Sequence, residues 1–168
     1  RMKILFVNRF FYPDESATSR MVTSLAVLLV KRGFEVHVVA SDMHHDRPQR
    51  EPAYSVVEGV VVHRVGTTAL GRARLGRRLI DYWTFHTRAA RRVRALVEPG
   101  DVVVAGTDPP MLSVSVMLAL WRTGGVLVNW LFDLFPEDRS ARESGLRARR
   151  RGAAPRPGQR DDEAAPAA

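Results

Sequence analysis

Several features that many proteins depend on are scarce or missing in this chain. None of its 168 residues is cysteine, which excludes disulfide frameworks and thiol nucleophiles. The apolar run before Asn8 is too short for the core of a signal peptide, and the stretch from Met111 to Trp121 is much shorter than the about 20 residues of a membrane-spanning helix. We therefore expect a cytoplasmic protein, either free or peripheral on the inner face of the cytoplasmic membrane.

Large apolar residues are missing from the end of the chain. After Phe135 the sequence contains no Val, Ile, Phe, Tyr, Trp or Met, and Arg, Ala, Pro and Gly dominate. Such a segment cannot bury enough apolar surface to offset the entropy of ordering it. We therefore expect residues 138–168 to form a disordered tail, and we interpret it as the product of a frameshift or truncation in a GC-rich gene. Reading the downstream DNA in the other two frames would test this interpretation.

Four apolar runs predict the strands of a buried sheet. Each run is rich in Val, Ile or Leu and passes directly into a polar loop; the runs are Ile4 to Val7, Val36 to Val39, Val102 to Ala105 and Val126 to Leu131. Near-continuous apolar strands are typical of parallel sheets that helices cover on both faces. Ligands bind such sheets at the carboxyl ends of the strands, so the polar loops mark the expected site.

The first half of the chain predicts a βαβ unit followed by an antiparallel pair. A helix is expected between the capping candidate Ser16 and the stop residue Gly33, which completes a βαβ unit over residues 3–41. Two alternating β-rich runs follow, at residues 54–58 and 60–65, with Gly59 between them. These runs predict a β-hairpin or an edge pair.

The second half continues the alternation of helix and strand. Residues 72–98 have helical periodicity, and Pro99 and Gly100 end that helix before the next strand. A further helix is expected to open at the capping candidate Thr107 and the two prolines that follow it. The predicted fold class is α/β: a Rossmann-like parallel sheet flanked by helices, over residues 2–137.

The loop after the first strand contains no glycine. Dinucleotide-binding folds place a G-x-G-x-x-G motif there, because glycine lets the backbone approach the pyrophosphate. A nicotinamide or flavin oxidoreductase is therefore disfavoured, and we interpret Asp42 as a solvated loop residue rather than a ribose ligand. His44, His45 and Asp46 lack the spacing of a closed metal site, so no metal is expected. Neither a P-loop nor a G-x-S-x-G elbow occurs.

The long helix lies in a strongly basic part of the chain. Nine arginines and one acid lie between Arg64 and Arg94. Helical projection predicts an apolar face of Leu75, Leu79, Tyr82, His86, Ala90, Val93 and Val97, and an opposite face of Arg77, Arg88, Arg91 and Arg92 with Phe85 among these arginines. A basic face with aromatic residues favours an anionic membrane surface over nucleic acid, although a plain solvated face explains the same charges. We expect no nucleic-acid partner.

The ordered series of motifs resembles a known family. The segments MKILFVNRFFYPDESATSRM, KRGFEVHVVAS, EGVVVHRV, TDPP and VNWLFDLFPE are similar to the amino-terminal half of family 4, GT-B type glycosyltransferases, such as bacterial enzymes of capsule, exopolysaccharide and colanic-acid assembly. The resemblance covers residues 2 to about 137. It implies a Rossmann-like acceptor-binding domain that faces a second, donor-binding domain across a cleft.

The resemblance also implies which residues face the cleft and the membrane. Carried over by position, the substrate-binding candidates are Tyr12, Asp14, Glu15, Ser16, Thr18, Thr107, Asp108, Pro109, Asp133 and Glu137. The long helix would be the membrane-facing side, suited to a polyprenyl-diphosphate acceptor, with Arg77, Phe85, Arg88, Arg91 and Arg92 as its candidates. No catalytic residue is assigned, and Phe132 stands where many relatives carry a polar His or Gln.

The function implied by the resemblance is retaining transfer of a sugar from a nucleotide-sugar to a lipid-linked or glycan acceptor in surface polysaccharide biosynthesis. The donor domain with its E-x7-E element does not follow Glu137. We therefore expect the chain to be inactive alone, without a cofactor, and to meet a nucleotide-sugar only together with a carboxy-terminal domain. Two alternatives are one half of a split enzyme, with a separate donor-domain chain as partner, and a non-catalytic module that binds a membrane or a partner.

Overall fold

The computed structural model describes residues 2–46, 49–68 and 75–131, which lie in a compact unit, Arg1–Asp133. The elements in chain order are β1 (Lys3–Val7), α1 (Ala17–Lys31), β2 (Glu35–Ser41), β3 (Tyr54–Val57), β4 (Val60–Val65), α2 (Leu75–Leu96), β5 (Val102–Ala105), α3 (Leu112–Leu120) and β6 (Val126–Asn129). The α/β class predicted from the sequence is confirmed. The tail predicted at residues 138–168 lies outside the described ranges.

The strands form one sheet in the order β3-β4-β2-β1-β5-β6. Neighbouring strands pair in parallel except β3, which runs antiparallel to β4 as the predicted edge hairpin. From β1 the chain moves outward through β2 and β4, and it then returns to β5 and moves the other way to β6. The position between β1 and β5 is therefore the switch point, where open sheets of this kind bind ligands.

Helices cover both faces of the sheet. On one face Val22 of α1 packs in a core with Phe6, and on the other Phe85 of α2 and Val116 of α3 pack in a core with Val7. Phe6 and Val7 belong to different cores because successive side chains of a strand point to opposite faces. This two-sided burial is the physical reason why the strands read as nearly continuous apolar runs.

The ends of two helices differ in how well the sequence predicts them. Gly33 ends α1 in the left-handed region at φ 87°, as expected of a helix stop, whereas Ser16 occupies the N-cap position without a side-chain capping hydrogen bond. α3 begins at Leu112, after the predicted start at Thr107 and the prolines, which is a correction. The reason is that the carbonyl of Asp108 accepts a hydrogen bond from the backbone N–H of Arg9. This bond holds the segment in the loop after β5, so the helix begins later.

The orientation of α2 also corrects the prediction. Its buried stripe is Asp81, Phe85, Ala89 and Val93, whereas Leu79, assigned to the buried face by projection, is exposed. The prediction that Phe85 faces outward among the arginines is wrong, because its ring is 0 % exposed and packs in the core between sheet and helices. None of the helices in the described ranges is long and apolar enough to cross a membrane.

Candidate functional site

Three loops meet at the carboxyl ends of the central strands. Backbone hydrogen bonds join them: Ser41 donates to the carbonyl of Arg9 at 2.9 Å, and Arg9 donates to the carbonyl of Asp108 at 3.1 Å. The loops after β1, β2 and β5 are therefore held against one another at the switch point. This is the edge of the sheet at which a ligand is expected from the sequence.

A cavity of about 240 Å³ opens beside these loops. The residues that line it are Arg9, Phe10, His45, Arg78, Asp81, Tyr82 and Asp108. The Arg9 guanidinium carbon lies 4.9 Å from the centre of the Tyr82 ring and 5.1 Å from that of Phe10, and the Arg78 carbon lies 5.4 Å from the centre of Tyr82. Two cations are therefore held over aromatic faces, which fixes their position without neutralising them.

The same cavity contains two carboxylates. Asp81 is buried in the first turns of α2, where Thr68 Oγ1 donates a hydrogen bond to its Oδ1 at 2.6 Å. Asp108 follows β5 and is half-buried. Guanidinium groups can bind phosphate, aromatic faces can pack on a sugar ring, and carboxylates can accept hydrogen bonds from hydroxyl groups.

Asp14, one of the predicted substrate-binding residues, is buried in the loop after β1. Burial alone would raise the pKa of Asp14, but hydrogen bonds from Ser16 and from the backbone N–H of His45, together with the charge of His45, outweigh it and lower the pKa. The bond to His45 joins the loops after β1 and β2. Asp14 also lies with His44 and Asp46 in a group whose ligand atoms are all within 4.8 Å of one another.

The other predicted substrate-binding residues are spread around this site. Tyr12 and Glu15 are exposed, and Glu15 forms an ion pair with Arg20 at 3.7 Å. The half-buried ones are Ser16, Thr18 and Thr107, and Pro109 is buried. Of the predicted set, Asp108 lines the cavity. Asp133 and Glu137 lie outside the described residues.

Asp42 corrects a further interpretation from the sequence. It is buried rather than solvated, because its Oδ1 accepts the backbone N–H of Thr67 at 2.9 Å and its Oδ2 accepts a hydrogen bond from Arg50. Asp42 therefore fastens the loop after β2 to the segment after β4. It has a structural position next to the site, and it does not line the cavity.

Six of the seven cavity residues, all except Asp108, were missed by sequence reasoning. Arg9 and Phe10 lie just beyond β1, after Asn8, so their place near a carboxyl strand end was a usable signal. Arg78 and Tyr82 belong to the first turns of α2, and nothing in their spacing indicates that this end of the helix reaches the switch point. Whether these two residues line the cavity depends on how α2 crosses the sheet, and the spacing of residues in the sequence does not show that.

A chain of side chains extends from the basic face of α2 across the sheet. Arg92 Nη2 donates to Nδ1 of His63 at 3.0 Å, Nε2 of His63 lies 3.1 Å from Nδ1 of His37, and Nε2 of His37 lies 3.2 Å from Glu35. Burial and the charges of Arg92 and His37 lower the pKa of His63 to about 4. Arg88 likewise bonds to the carbonyl of Gly66. These two arginines, predicted to face a membrane, are engaged with β4 and the segment after it.

A second surface lies on the outer side of α2 and α3. Its side chains are apolar and exposed, and they are Leu79, Ile80, Trp83, Met117, Leu118 and Trp121. Trp83 is 70 % exposed and Trp121 is 66 % exposed. Trp83 and Leu118 both line a groove of about 360 Å³, together with Arg91 and Arg94. We call these six residues the α2–α3 apolar face.

Comparison with known proteins adds no further assignment. No protein-family model matches the sequence, and a search of curated proteins finds no match either.

Proposed function

We propose that this chain is the acceptor-binding domain of a retaining glycosyltransferase. Together with a donor-binding domain, it would pass a sugar from a nucleotide-sugar to a lipid-linked or glycan acceptor. The observation that supports the proposal most directly is the cavity at the switch point, where Arg9 and Arg78 stand over Tyr82 beside two carboxylates. The motif series in the sequence supports it independently.

The cavity combines the groups that a sugar diphosphate requires. Arg9 and Arg78 supply fixed cations for phosphate oxygens, and charge-assisted hydrogen bonds of this type are among the stronger ones in proteins. Phe10 and Tyr82 supply flat apolar surfaces for a sugar ring. Asp108 supplies an acceptor for sugar hydroxyl groups. An acceptor that carries a sugar on a prenyl diphosphate can use the cations, the aromatic surfaces and the carboxylate.

Binding of a soluble acceptor analogue tests this proposal. The probe is an N-acetylhexosamine linked through a diphosphate to a short prenyl chain, titrated into the full chain and followed by NMR. We expect saturable binding that Arg9→Gln and Arg78→Gln each weaken by about tenfold or more, because each loses a charge-assisted hydrogen bond worth roughly 1.5–3 kcal/mol. Circular dichroism of each variant checks that the fold is retained.

The matched control is Arg20→Gln. Arg20 is exposed on α1 and pairs with Glu15 outside the cavity, so its loss removes one positive charge at little structural cost. The affinity of the Arg20→Gln variant for the probe should stay within a factor of two to three of the affinity of the unchanged chain. The proposal fails if the probe does not bind, or if Arg20→Gln weakens binding as much as the cavity variants.

A second candidate function, membrane docking, is favoured by the α2–α3 apolar face. Exposed tryptophans next to arginines match the requirements of an anionic lipid surface, since the rings enter the interface and the cations attract lipid headgroups. Arg91, one of the predicted candidates, lines the groove beside Trp83, and Arg94 joins it there. Phe85, Arg88 and Arg92 are no longer candidates for this role. Arg77 is exposed and remains a candidate.

Vesicle sedimentation tests membrane docking. Phosphatidylcholine vesicles that contain phosphatidylglycerol should bind the full chain at low salt and release it at high salt, because screening removes the attraction of about 1 kcal/mol per basic residue. Replacing Trp83 and Trp121 by serine should reduce binding strongly. The control is Tyr54→Ser, which removes an exposed aromatic ring from the edge strand β3. Equal losses in the control and the double variant would contradict docking through this face.

A further inference from the structure

We propose that the chain binds a divalent transition metal, with Zn²⁺ as the probe, between the loops that follow β1 and β2. The ligands are Asp14, His44 and Asp46, which offer one side-chain ligand atom each within 4.8 Å of the other two. The three residues come from two loops that the hydrogen bond between His45 and Asp14 already holds together. The proposal does not depend on sugar transfer, and it departs from the expectation of no metal because Asp14 joins the set from a different loop.

The separation of the His44 and Asp14 ligand atoms is close to what a small divalent ion requires. Zn²⁺ binds nitrogen and carboxylate oxygen at about 2.0–2.2 Å in a tetrahedral arrangement, so its ligand atoms stand about 3.4 Å apart. Nδ1 of His44 lies 3.9 Å from Oδ2 of Asp14. That distance is too long for a hydrogen bond, and a shift of a few tenths of an ångström brings both atoms to the separation that the metal requires.

His44 is oriented as histidine ligands of metals usually are. Its side chain is 6 % exposed, and its Nε2 lies 2.7 Å from Oε1 of Glu51. A carboxylate on one ring nitrogen holds the proton there and turns the lone pair of the other nitrogen toward the metal. In His44 that other nitrogen is Nδ1, which faces Asp14 and has no hydrogen bond to the residues that the structure describes.

Asp14 is also held in place before any metal binds. Ser16 donates its backbone N–H to Oδ1 at 2.9 Å, and His45 donates its backbone N–H to Oδ2. The carboxylate side chain is 3 % exposed, and each of its oxygens keeps a further lone pair. A ligand that is fixed by its neighbours loses little entropy when it coordinates a metal, which favours binding.

The ligand set selects the class of metal. One imidazole and two carboxylates combine nitrogen with oxygen, a set that suits Zn²⁺ and its neighbours, whereas Mg²⁺ and Ca²⁺ prefer oxygen alone. Three protein ligands leave at least one coordination position for water or another group. The next residue in the sequence, His45, packs edge-on against Phe10 with ring centres 5.3 Å apart, so we do not include it among the metal ligands.

Metal titration of the full chain tests the proposal. After treatment with a chelator and dialysis, Zn²⁺ is added in a calorimeter, and Co²⁺ is used as a spectroscopic substitute. We expect one tight site per chain, a visible absorption band of Co²⁺ typical of four-coordinate N/O ligation, and a rise of the melting temperature by several degrees with Zn²⁺. Glu51→Gln should weaken binding by about 10–100-fold, because it removes the group that orients His44.

Two histidine variants decide whether the metal occupies this site. His44→Gln should abolish the single tight site, whereas His45→Gln, in the same loop, should keep it. His37→Gln tests the stacked His37 and His63 pair as a competing site, and it should also keep full binding. The proposal is overturned if the chelator-treated chain binds no Zn²⁺, if His44→Gln binds as well as His45→Gln, or if His37→Gln is the variant that loses the metal.

Discussion

Single buried polar residues join the ends of the sheet to the helices. Asp101, just before β5, accepts hydrogen bonds from the backbone N–H of Lys3 at 2.8 Å and of Glu98 at 2.9 Å, and Lys3 Nζ lies 3.5 Å from its Oδ2. Burial would raise the pKa of Asp101, but these hydrogen bonds and the Lys3 charge outweigh it and lower the pKa. One carboxylate thus connects β1, β5 and the segment after α2.

Asp101→Asn should therefore destabilise the fold. The amide keeps the size of the side chain but loses the charge and one acceptor, so two backbone donors and an ammonium compete for a weaker partner. We expect a loss of roughly 1–3 kcal/mol in the free energy of unfolding, measured with urea at pH 7. Glu98→Gln, which removes an exposed carboxylate near the same lysine, should cost less than about 0.5 kcal/mol. If Asp101→Asn and Glu98→Gln lose the same free energy of unfolding, Asp101 does not have the central position that its contacts indicate.

His63 makes stability depend on pH in a defined window. Its pKa of about 4 in the folded chain lies below the value of about 6.5 for an unfolded histidine, so the unfolded chain binds the proton more readily. The stabilisation is complete above pH 6.5 or so and is lost as the pH falls toward about 4. Between pH 7 and pH 5 the loss should be roughly 2 kcal/mol for this residue.

Urea unfolding at pH 7 and pH 5 measures this effect. His63→Gln should lose clearly less stability over that interval than the unchanged chain, because glutamine does not titrate. Burial also lowers the pKa of His86, so that residue contributes in the same direction and remains as background in the variant. Identical pH dependence in both chains would show that burial and the charges of Arg92 and His37 do not keep His63 neutral.

At the scale of helices and strands, the sequence predicted strands better than helix faces. β1 and β5 were predicted to within a residue, because burial on two faces produces uninterrupted apolar runs. β4 was predicted equally well from its alternating β-rich run. The orientation of α2 was predicted only in part: Val93 is buried and the four arginines are exposed as expected, but Phe85 and Leu79 are on the wrong sides. That helix contacts both the sheet and α3, and exposed residues such as Trp83 have the same apolar character as buried ones. Periodicity therefore identified the helix and most of its inner side, but it did not find the edges of the buried stripe.

Two glycines in the left-handed region provide a prediction about the contact between α1 and the β3–β4 hairpin. Gly59 in the hairpin has φ 84°, and a Cβ atom there would lie 2.8 Å from Cγ1 of Val30. Gly33 has φ 87°, and a Cβ atom there would meet nothing within 4 Å. Both alanine variants should lose about 1–2 kcal/mol from backbone strain, and Gly59→Ala should lose a further 1–3 kcal/mol or so from the clash.

The comparison between these variants isolates the clash. Urea unfolding gives the loss in free energy of unfolding for both variants. Val30→Ala removes the methyl group that the new Cβ atom would meet. Combined with Gly59→Ala, it should therefore recover part of the extra loss of Gly59→Ala over Gly33→Ala. If Gly33→Ala costs as much as Gly59→Ala, the hairpin does not pack closely on Val30.

At the scale of the whole molecule, the sequence predicted the edge of the sheet where the candidate site lies, but only some of the residues that form it. The rule that ligands bind at the carboxyl ends of parallel strands indicated the loops after β1, β2 and β5, and Asp14 and Asp108 lie there. Tyr82 joins them only because α2 crosses the sheet at the switch point. His44 and Asp14 come together because two loops meet, and no spacing within either loop contains that information.

The last prediction concerns how much of the chain the fold needs. The buried side chains of both cores come from β1, α1, β2, the residues around them and later elements up to α3, with Trp130 packed at the margin. A chain that ends at Glu137 should therefore melt within about 4 °C of the full chain, since 1 kcal/mol corresponds to roughly 2–4 °C for a protein of this size. The dependence of its unfolding free energy on urea should also be unchanged, because that slope follows the surface exposed on unfolding.

A chain that ends at Gly124 is the control: it lacks β6, which pairs with β5 from Val126 to Asn129, and it should unfold at a much lower temperature. A large drop already on truncation at Glu137 would show that residues 138–168 pack against the domain and would contradict their predicted disorder.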